Sequence, residues 1–489
     1  MTEKDSADGR ARYQRVGLWL GPAIAIVMLL SSPPETLSEP AWRTAAMGLL
    51  MAIWWATEAV PIAVTALLPL VFFPLLGIAD ISDAAAPFAN KVIYLFLGGF
   101  VVALAMQRWD LHRRIALTVL QYFGGNGRSL VGGFMVASAL LSMWVMNTST
   151  TMMLLPIAVS VIGVIHGSVD SLDDRGRKDL QYALLLGVAY ASTIGGMATL
   201  VGTAPNAMMA AFMQENYDVS VDFASWMLVG LPLSLCLLPL AWLALTRIVF
   251  RVDFQTSPEG RALLRKARHD LGPISLPETR VAIVFGLLAL AWIFRPLLVK
   301  IPGLAGLDDS GIAMAGAVSL FLIPSGDRAD PLLIRWEQVE KLPWAILILF
   351  GGGLALAGAV SDTGLAAWLG DNLHAVATLP APVLVLIVTT MIIFLTELTS
   401  NIATTATFLP VAGAIAIEAG IDPIVLAVPA TLAASCAFML PVATPPNAIV
   451  FGSGLLTVPK MAKAGIVLNL FGIVLVSLAA LTLAPMILH

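Results

Sequence analysis

Two clusters of small polar side chains interrupt apolar sequence, and their residue types suit the binding of an anion beside a cation. The first cluster, NTSTT, covers residues 147–151, and the second joins Ser400-Asn401 with Thr404-Thr405. Such side chains are costly in hydrocarbon unless they find polar partners. A helix that begins there offers N–H donors and a partial positive charge to an anion. Carbonyl, amide and hydroxyl oxygens suit a hard cation, so the clusters predict a site for a carboxylate beside a sodium ion.

Two proline-containing segments supply a wall opposite these clusters. GTAPN begins at Gly202, and ATPPN begins at Ala443. Because proline removes a backbone donor and frees a carbonyl, neither segment is expected to continue a regular helix. The breaks put Thr203 and Thr444 on unwound chain that lines a cavity. The core of this predicted site contains no Arg or Lys, so co-bound cations would balance a dianion that is otherwise costly at this depth.

The clusters and the proline segments each occur twice in the same order, after a matched apolar block. LFLGGFVVALAM resembles ILFGGGLALAGA, Asn147 and Asn401 are 254 residues apart, and the proline segments are 241 residues apart. The number of predicted spans between the blocks makes the two repeats inverted, an arrangement that recurs in secondary transporters. A duplicated scaffold without transport is one alternative. An isolated Asn-Thr pair usually serves as a contact between helices. The occurrence of two matched clusters argues against that role here.

The elements that position these residues are predicted to be membrane-spanning helices. The chain has 489 residues, of which 58% are hydrophobic and 12% charged, with a mean hydropathy of +0.89. A soluble protein would have about a quarter charged residues, and a span needs about 20 apolar residues. We therefore predict an all-α polytopic membrane protein rather than a large soluble helical protein, with re-entrant hairpins at 130–165 and 379–418. The eleven predicted spans are 16–31, 44–57, 60–77, 92–107, 182–213, 226–249, 281–299, 310–324, 344–369, 424–456 and 464–487.

The distribution of basic residues predicts the orientation. With the N-terminus in the cytoplasm and the C-terminus outside, all but four of the 27 Lys and Arg residues lie on the cytoplasmic side, as topology rules require. The external residues are Arg43, Lys91, Arg295 and Lys300. A multi-pass protein of a bacterial inner membrane is the expected class. The predicted divisions are a cytoplasmic tail (1–15), the first span and first repeat (16–250), a solvated cytoplasmic linker (251–280) and the second repeat (281–489).

The repeated motifs also resemble those of a known family. The segment ASCAFMLPVATPPNAIV (434–450) and the paired motifs at 146–148 (MNT) and 400–402 (SNI) are similar to signatures of the divalent anion:sodium symporter family. The resemblance extends from about Val16 to Leu488. Members of this family carry dicarboxylates, citrate or sulfate. The resemblance implies an elevator-type homodimer, in which a transport domain bearing both hairpins slides against a scaffold that holds the dimer interface.

The resemblance also implies the residues of the site. The first sodium site would use Ser142, Asn147 and Gly202, and the second would use Thr396, Asn401 and Ala443, several of them through backbone carbonyls. Substrate carboxylates would meet Asn147, Thr148, Thr203, Ser400, Asn401 and Thr444.

The chain departs from the family motifs at two positions. Met146 replaces a serine and Ile402 replaces a threonine, so each motif lacks one hydroxyl. The change at Met146 affects both the first sodium site and the substrate pocket, and it would shift substrate choice or weaken cation coupling.

The predicted function is transport of di- or tricarboxylates coupled to sodium, with C4-dicarboxylates such as succinate, malate and fumarate favoured. A symporter of sulfate or another divalent anion, a sodium-independent dicarboxylate exchanger and a passive channel are alternatives. A membrane-embedded enzyme would need a base near the Asn clusters, where Glu397 is the one candidate. Glu397 is therefore either a structural support of its hairpin or a residue that tunes a cation, and Glu58 is expected at a turn. Beyond sodium, no organic cofactor and no nucleic-acid partner is expected.

Overall fold

The computed structural model describes residues 11–123, 125–168, 173–253, 258–328, 330–372 and 378–488. Within these ranges the chain is helical, apart from turns, loops and an isolated bridge between Pro324 and Leu332. The predicted all-α class is therefore confirmed. Eight helices in the described part are long and apolar enough to cross a membrane.

The first half of the chain contains helices with strongly apolar sequences, several of them interrupted by proline or followed by tight turns. Its helices are α1 (Arg12–Leu30), α2 (Glu39–Thr57), α3 (Ile62–Ala66), α4 (Leu68–Leu75), α5 (Ile81–Ala85), α6 (Lys91–Arg108), α7 (Leu111–Leu120), α8 (Gly127–Ser142), α9 (Asn147–Ser168), α10 (Asp174–Gly196), α11 (Ala204–Tyr217) and α12 (Phe223–Leu243), and a π-helical turn (Ala244–Ile248) extends the last.

The second half follows a similar order after a short polar helix. Its helices are α13 (Pro258–His269), α14 (Leu276–Leu298), α15 (Asp309–Leu322), α16 (Trp336–Val339), α17 (Trp344–Asp362), α18 (Leu365–Asn372), α19 (Ala381–Thr396), α20 (Asn401–Glu418), α21 (Ile424–Ser435), α22 (Pro445–Gly452) and α23 (Val458–Ile487).

Three predicted elements differ in detail from the structure. The predicted span 60–77 consists of two short helices, α3 and α4. The predicted span 344–369 consists of α17 and α18, because Gly364 adopts a positive φ of 82° between them and such a turn ends a helix. The predicted solvated linker contains α13, an amphipathic helix whose Leu264 is buried.

Two helix pairs are joined by four-residue turns, and we name them hairpin 1 (α8 and α9) and hairpin 2 (α19 and α20). The four helices begin and end at the 254-residue offset found between the Asn motifs, except that α9 runs on at its C-terminal end. The N-terminus of α8 is capped by Asn126, whose side chain accepts from the Ser129 amide at 2.8 Å, a common start signal. The predicted hairpin positions thus correspond to real helix pairs.

Two other helices are interrupted where the proline segments predicted it. Break 1 (residues 197–203) separates α10 from α11, and break 2 (residues 436–444) separates α21 from α22. Thr203 and Thr444 both adopt extended backbone and serve as N-caps, with proline in the first two positions of the following helix. Proline there loses no helical hydrogen bond, so it favours the start of the second helix of each pair.

Close backbone contacts hold each broken helix in place. A Cβ atom built on Gly195 of α10 would lie 2.3 Å from the Ala139 carbonyl oxygen of α8. One built on Gly465 of α23 would lie 2.3 Å from the Phe438 carbonyl oxygen of break 2. Any side chain at either glycine would force these elements apart, so hairpin 1 lies directly on α10, and break 2 lies directly on α23.

Candidate functional site

The turn of each hairpin is closed by the same pair of side chains. Ser142 donates its hydroxyl to Asn147 Oδ1 at 2.5 Å, and Thr396 donates its hydroxyl to Asn401 Oδ1 at 2.9 Å. The two hydroxyl residues are fully buried. Each hairpin therefore presents an amide oxygen beside a hydroxyl oxygen, which is the kind of donor set that a sodium ion can use after the hydroxyl rotates.

In the first repeat, the structure brings the three predicted sodium ligands together. A Cβ atom on Gly196, the last residue of α10, would lie 2.6 Å from Asn147 Oδ1 and 3.0 Å from the Gly202 carbonyl oxygen. Both oxygens thus approach Gly196 so closely that no side chain fits there, and the glycine is what lets Asn147 and Gly202 come together. Ser142 joins this group through its bond to Asn147.

In the second repeat, two of the three predicted ligands are joined. The single Thr396 hydroxyl proton is shared between Asn401 Oδ1 and the Ala434 carbonyl oxygen, which lies 2.8 Å away, and this contact fixes hairpin 2 to the end of α21. Ala443 lies in break 2, where its amide donates to the Leu440 carbonyl oxygen at 3.2 Å. Among the described residues, no hydrogen bond links Ala443 to Asn401.

All six predicted substrate residues lie at helix N-termini. Asn147 and Thr148 begin α9, Ser400 and Asn401 are the N-cap and first residue of α20, and Thr203 and Thr444 are the N-caps of α11 and α22. The first N–H groups of a helix have no partner within it and carry a partial positive charge. Four such ends are available to bind the carboxylates of an anion.

The two repeats interleave around these helix ends. The helix α9 of hairpin 1 packs against α22 of the second repeat, and α20 of hairpin 2 packs against α11 of the first repeat. Tyr190 of α10 contacts Phe438 of break 2, with ring centroids 5.3 Å apart.

The sequence contains no Lys or Arg in the ranges 129–174, 179–246 and 342–459, which include all four helix ends.

The Glu397 carboxylate connects hairpin 2 to break 2. One oxygen accepts from the amides of Phe438 and Met439 at 2.8 and 2.9 Å, and the other accepts from the amides of Met439 and Leu440, each at 3.0 Å. Asn469 of α23 donates to the same carboxylate at 2.8 Å. Successive backbone amides form an anion-binding concavity of this kind. Both Glu397 carboxylate oxygens accept hydrogen bonds from these groups, so this geometry favours the structural role, one of the two roles predicted for Glu397.

The first repeat makes the equivalent connection without a carboxylate. Met143 occupies the position that corresponds to Glu397, and its carbonyl oxygen accepts from the Thr199 hydroxyl at 2.5 Å. The same hydroxyl accepts from the Gly202 amide at 3.0 Å. Thr199 therefore links hairpin 1 to break 1.

Two buried asparagines that the sequence did not single out hold the breaks together. Asn206 donates to the carbonyl oxygens of Thr199 and Gly196 at 2.8 and 3.3 Å. Asn447 donates to those of Leu440 and Ala437 at 3.0 and 3.2 Å. Each side-chain amide binds carbonyl groups seven and ten residues earlier in the chain. The Pro-Asn pair that occurs in both proline segments was the sequence pattern that could have identified these asparagines.

Glu58 lies where it was expected. It follows α2 as the C-cap with φ of 46°, a left-handed conformation. Its carbonyl oxygen accepts from the Gln14 side chain at 3.2 Å, which ties the turn to α1.

Comparisons with known proteins agree with this architecture. A family model described as "Sodium:sulfate symporter transmembrane region" matches residues 14–488. A protein of Staphylococcus saprophyticus named sodium-dependent dicarboxylate transporter SdcS is 41% identical over 481 residues, which cover 97% of this chain and 92% of that protein. The protein of the same name from Staphylococcus aureus strain USA300 is 39% identical over 478 residues, with the same coverage.

Two solved structures share the fold at low sequence identity. The Alcanivorax borkumensis YdaH transporter matches with a TM-score of 0.53 and 14% identity, over 95% of this chain and 96% of that chain. Neisseria gonorrhoeae MtrF matches with a TM-score of 0.53 and 14% identity, over 96% of this chain and 97% of that chain. A symporter family consists of transporters, so the expectation of a transporter rather than an enzyme is confirmed. The family match and the two close relatives together establish that this chain belongs to the sodium:sulfate symporter family, as its motifs predicted.

Proposed function

We propose that this multi-pass membrane protein carries dicarboxylates together with sodium ions, with C4-dicarboxylates such as succinate, malate and fumarate as its preferred substrates. The observation that carries this proposal is the set of four helix N-termini, each with a polar side chain at its N-cap or first residue, in sequence that lacks Lys and Arg. Such a site attracts carboxylates but does not neutralise a dianion. Bound cations supply the missing charge, which makes substrate and sodium binding depend on each other. Relatives named for sodium-dependent dicarboxylate transport support the same assignment.

The sodium ions occupy one site in each repeat. Ser142, Asn147 and Gly202 bind the first ion, since Ser142 bonds to Asn147 and the Asn147 and Gly202 oxygens converge beside Gly196. Thr396, Asn401 and Ala443 bind the second, in the arrangement that the repeat implies. Binding of sodium thereby connects each hairpin turn to the break of the same repeat. The substrate carboxylates then bind the adjacent residues Thr148, Thr203, Ser400 and Thr444, together with both asparagines.

The repeats are inverted, and both hairpins are re-entrant. The matched helix bounds of hairpins 1 and 2 support two copies of one unit, and the basic residues support a cytoplasmic N-terminus and an external C-terminus. The units are the tail (1–15), the first repeat (16–250), the linker (251–280) and the second repeat (281–489). The membrane is the inner membrane of a bacterium.

Transport proceeds by an elevator movement within a homodimer. The hairpins and broken helices pack on one another, so they can move as one body. Phe223 of α12 lies between Trp144 at the turn of hairpin 1 and Trp292 of α14, with centroid distances of 5.9 and 4.7 Å. This contact is where the moving body meets α14 of the scaffold.

A second candidate function is symport of sulfate, and the description of the matching family favours it. Sulfate is also a small dianion, and the four helix ends do not by themselves distinguish it from succinate. The spacing of the charges distinguishes succinate from sulfate, because the two carboxylates of a C4 acid can contact helix ends from both repeats at once.

Flux of labelled succinate into proteoliposomes tests the proposal. We expect saturable uptake that is lost when choline replaces sodium, and inhibition by malate and fumarate but not by sulfate. Undiminished uptake in choline would identify a sodium-independent exchanger. Strong inhibition by sulfate would favour the second candidate.

A further inference from the structure

A groove of about 490 Å³ lies between α8, the first arm of hairpin 1, and the C-terminal half of α12. We call it the α8–α12 groove. One part of its lining is apolar, and the other carries Asn126, Arg128, Ser129 and Arg247. The apolar part is formed by Phe123, Gly132, Met135, Val136, Leu238, Pro239 and Trp242.

The polar end of the groove has an unbalanced positive charge. Arg128 is anchored by a bond from its Nε to the Val252 carbonyl oxygen at 2.9 Å and by an ion pair to the exposed Asp253 at 3.2 Å. Arg247 is exposed, and its guanidinium makes no ion pair or hydrogen bond within the described part of the chain. The two guanidinium groups therefore have one carboxylate between them.

The apolar part of the groove faces the surface that an apolar span presents to lipid. The helix α12 with its π-helical turn is one of the eight potential spans, and Leu235 is 61% exposed one turn before Leu238. Trp242 donates to the Arg128 carbonyl oxygen at 2.9 Å, so its ring marks the boundary between the apolar and polar parts. Tryptophan and arginine are common at the level of lipid headgroups.

We propose that the α8–α12 groove binds an anionic glycerophospholipid. The phosphate contacts Arg247 and the free donors of Arg128, and one acyl chain lies along Gly132, Met135 and Leu238. A free phosphate would leave the apolar part uncovered, and a zwitterionic lipid would bring a second cation to a site that already has an excess of positive charge. A lipid with a net negative headgroup satisfies both parts.

The position of the groove allows a bound lipid to affect the transport site through α8. Met135 borders the groove and also contacts α10, since a Cβ on Gly187 would lie 3.1 Å from the Met135 side chain. The helix α8 continues from the groove to Ser142. A bound lipid therefore braces the arm that carries Ser142 against α10 and α12.

Native mass spectrometry of the full-length protein in neutral detergent tests the proposal without relying on transport activity. The protein is incubated with dioleoyl phosphatidylglycerol or dioleoyl phosphatidylcholine, with and without excess inorganic phosphate. We expect one phosphatidylglycerol to be retained in clear preference to phosphatidylcholine, and phosphate not to displace it. Equal retention of the two lipids, or displacement by phosphate, would overturn the proposal.

Variants locate the lipid. Arg247→Gln should reduce phosphatidylglycerol retention about tenfold, because it removes a charge-assisted hydrogen bond to the phosphate. Gly132→Leu should reduce retention of the lipid by filling the groove, and it decides the question if Arg247→Gln fails to fold. Arg265→Gln changes an exposed arginine of α13 outside the groove and should retain the lipid fully. Retention in both Arg247→Gln and Gly132→Leu at the parental level would place the lipid elsewhere and reject the site.

Discussion

Ser142 donates its hydroxyl to the side-chain oxygen of Asn147 across the turn of hairpin 1, at 2.5 Å. Thr396 makes the same contact with Asn401 in hairpin 2 at 2.9 Å. The two pairs are separated by the same 254 residues as the motifs themselves. The repeated unit is therefore a specific polar contact as well as a sequence motif, and it positions an amide oxygen in each half of the protein.

The first prediction concerns these hydroxyls. Ser142→Ala and Thr396→Val should each weaken sodium binding 10- to 100-fold, because a contact to a charged group contributes about 1.5–3 kcal/mol. The sodium concentration that gives half-maximal succinate flux measures the effect. Ser160→Ala, which removes a hydroxyl from α9 of hairpin 1 at an exposed position bonded to the Pro156 carbonyl oxygen, is the control. Parental sodium dependence in both site variants would show that the hydroxyls do not contact the ion.

The second prediction concerns the departure at Met146. This residue precedes α9, and its carbonyl oxygen accepts from the Thr150 amide at 3.1 Å, as an N-cap does. Met146→Ser should lower the sodium concentration for half-maximal flux, since serine places a hydroxyl at the N-cap of α9, near the proposed first sodium site. The reciprocal change Ser400→Met in hairpin 2 should raise it. The idea fails if both variants leave the sodium dependence of flux unchanged.

The third prediction concerns Glu397, which is 4% exposed. Glu397→Gln places an amide NH₂ where a carboxylate oxygen accepted from backbone amides. At least one buried N–H of break 2 is then unpaired, at a cost of about 1–3 kcal/mol. We expect the melting temperature of the purified protein to fall by several degrees. Glu337→Gln, at an exposed position of α16, is the control. An unchanged melting temperature for Glu397→Gln would mean that the carboxylate does not support break 2.

The fourth prediction concerns pH. His112 of α7 is 8% exposed, and its Nδ1 lies 3.0 Å from the Met106 carbonyl oxygen. Burial lowers the pKa of this imidazole and outweighs the opposing effect of the Met106 carbonyl. A histidine with a lowered pKa contributes its full stability above the unfolded value of about 6.5, and this contribution is lost as the pH falls through the folded value.

Melting temperatures between pH 8 and pH 5 measure this effect. The parental protein should lose stability below about pH 6.5, and His112→Gln should lose less of it over the same interval. His269→Gln, at an exposed histidine of α13, should behave as the parent does. An identical pH profile for His112→Gln and the parent would remove His112 as the cause.

Features written in local residue patterns were predictable from the sequence. The Asn clusters predicted the start of α9 and α20, and the Thr-Ala-Pro-Asn and Thr-Pro-Pro-Asn segments predicted both breaks, because proline and polar caps act within a few residues. The helix α13 was missed as a helix because its polar residues also fit a solvated loop.

Features that depend on distant backbone groups were not predictable. Glu397 binds amides of residues 438–440, and no side-chain pattern marks a backbone donor some forty residues away. The sequence therefore left two roles open for this residue. The Asn206 and Asn447 amides likewise bind carbonyl groups that are exposed only because the helices break.

The central claim is that Asn147 and Asn401 help form one pocket in which a dicarboxylate and sodium bind together. Simultaneous uptake of ²²Na⁺ and labelled succinate into proteoliposomes tests it most directly. We predict that succinate drives sodium uptake in the parental protein, and that Asn147→Ala and Asn401→Ala, inserted in the membrane at parental levels, each abolish both fluxes. Coupled uptake at the parental rate in either variant would contradict the claim.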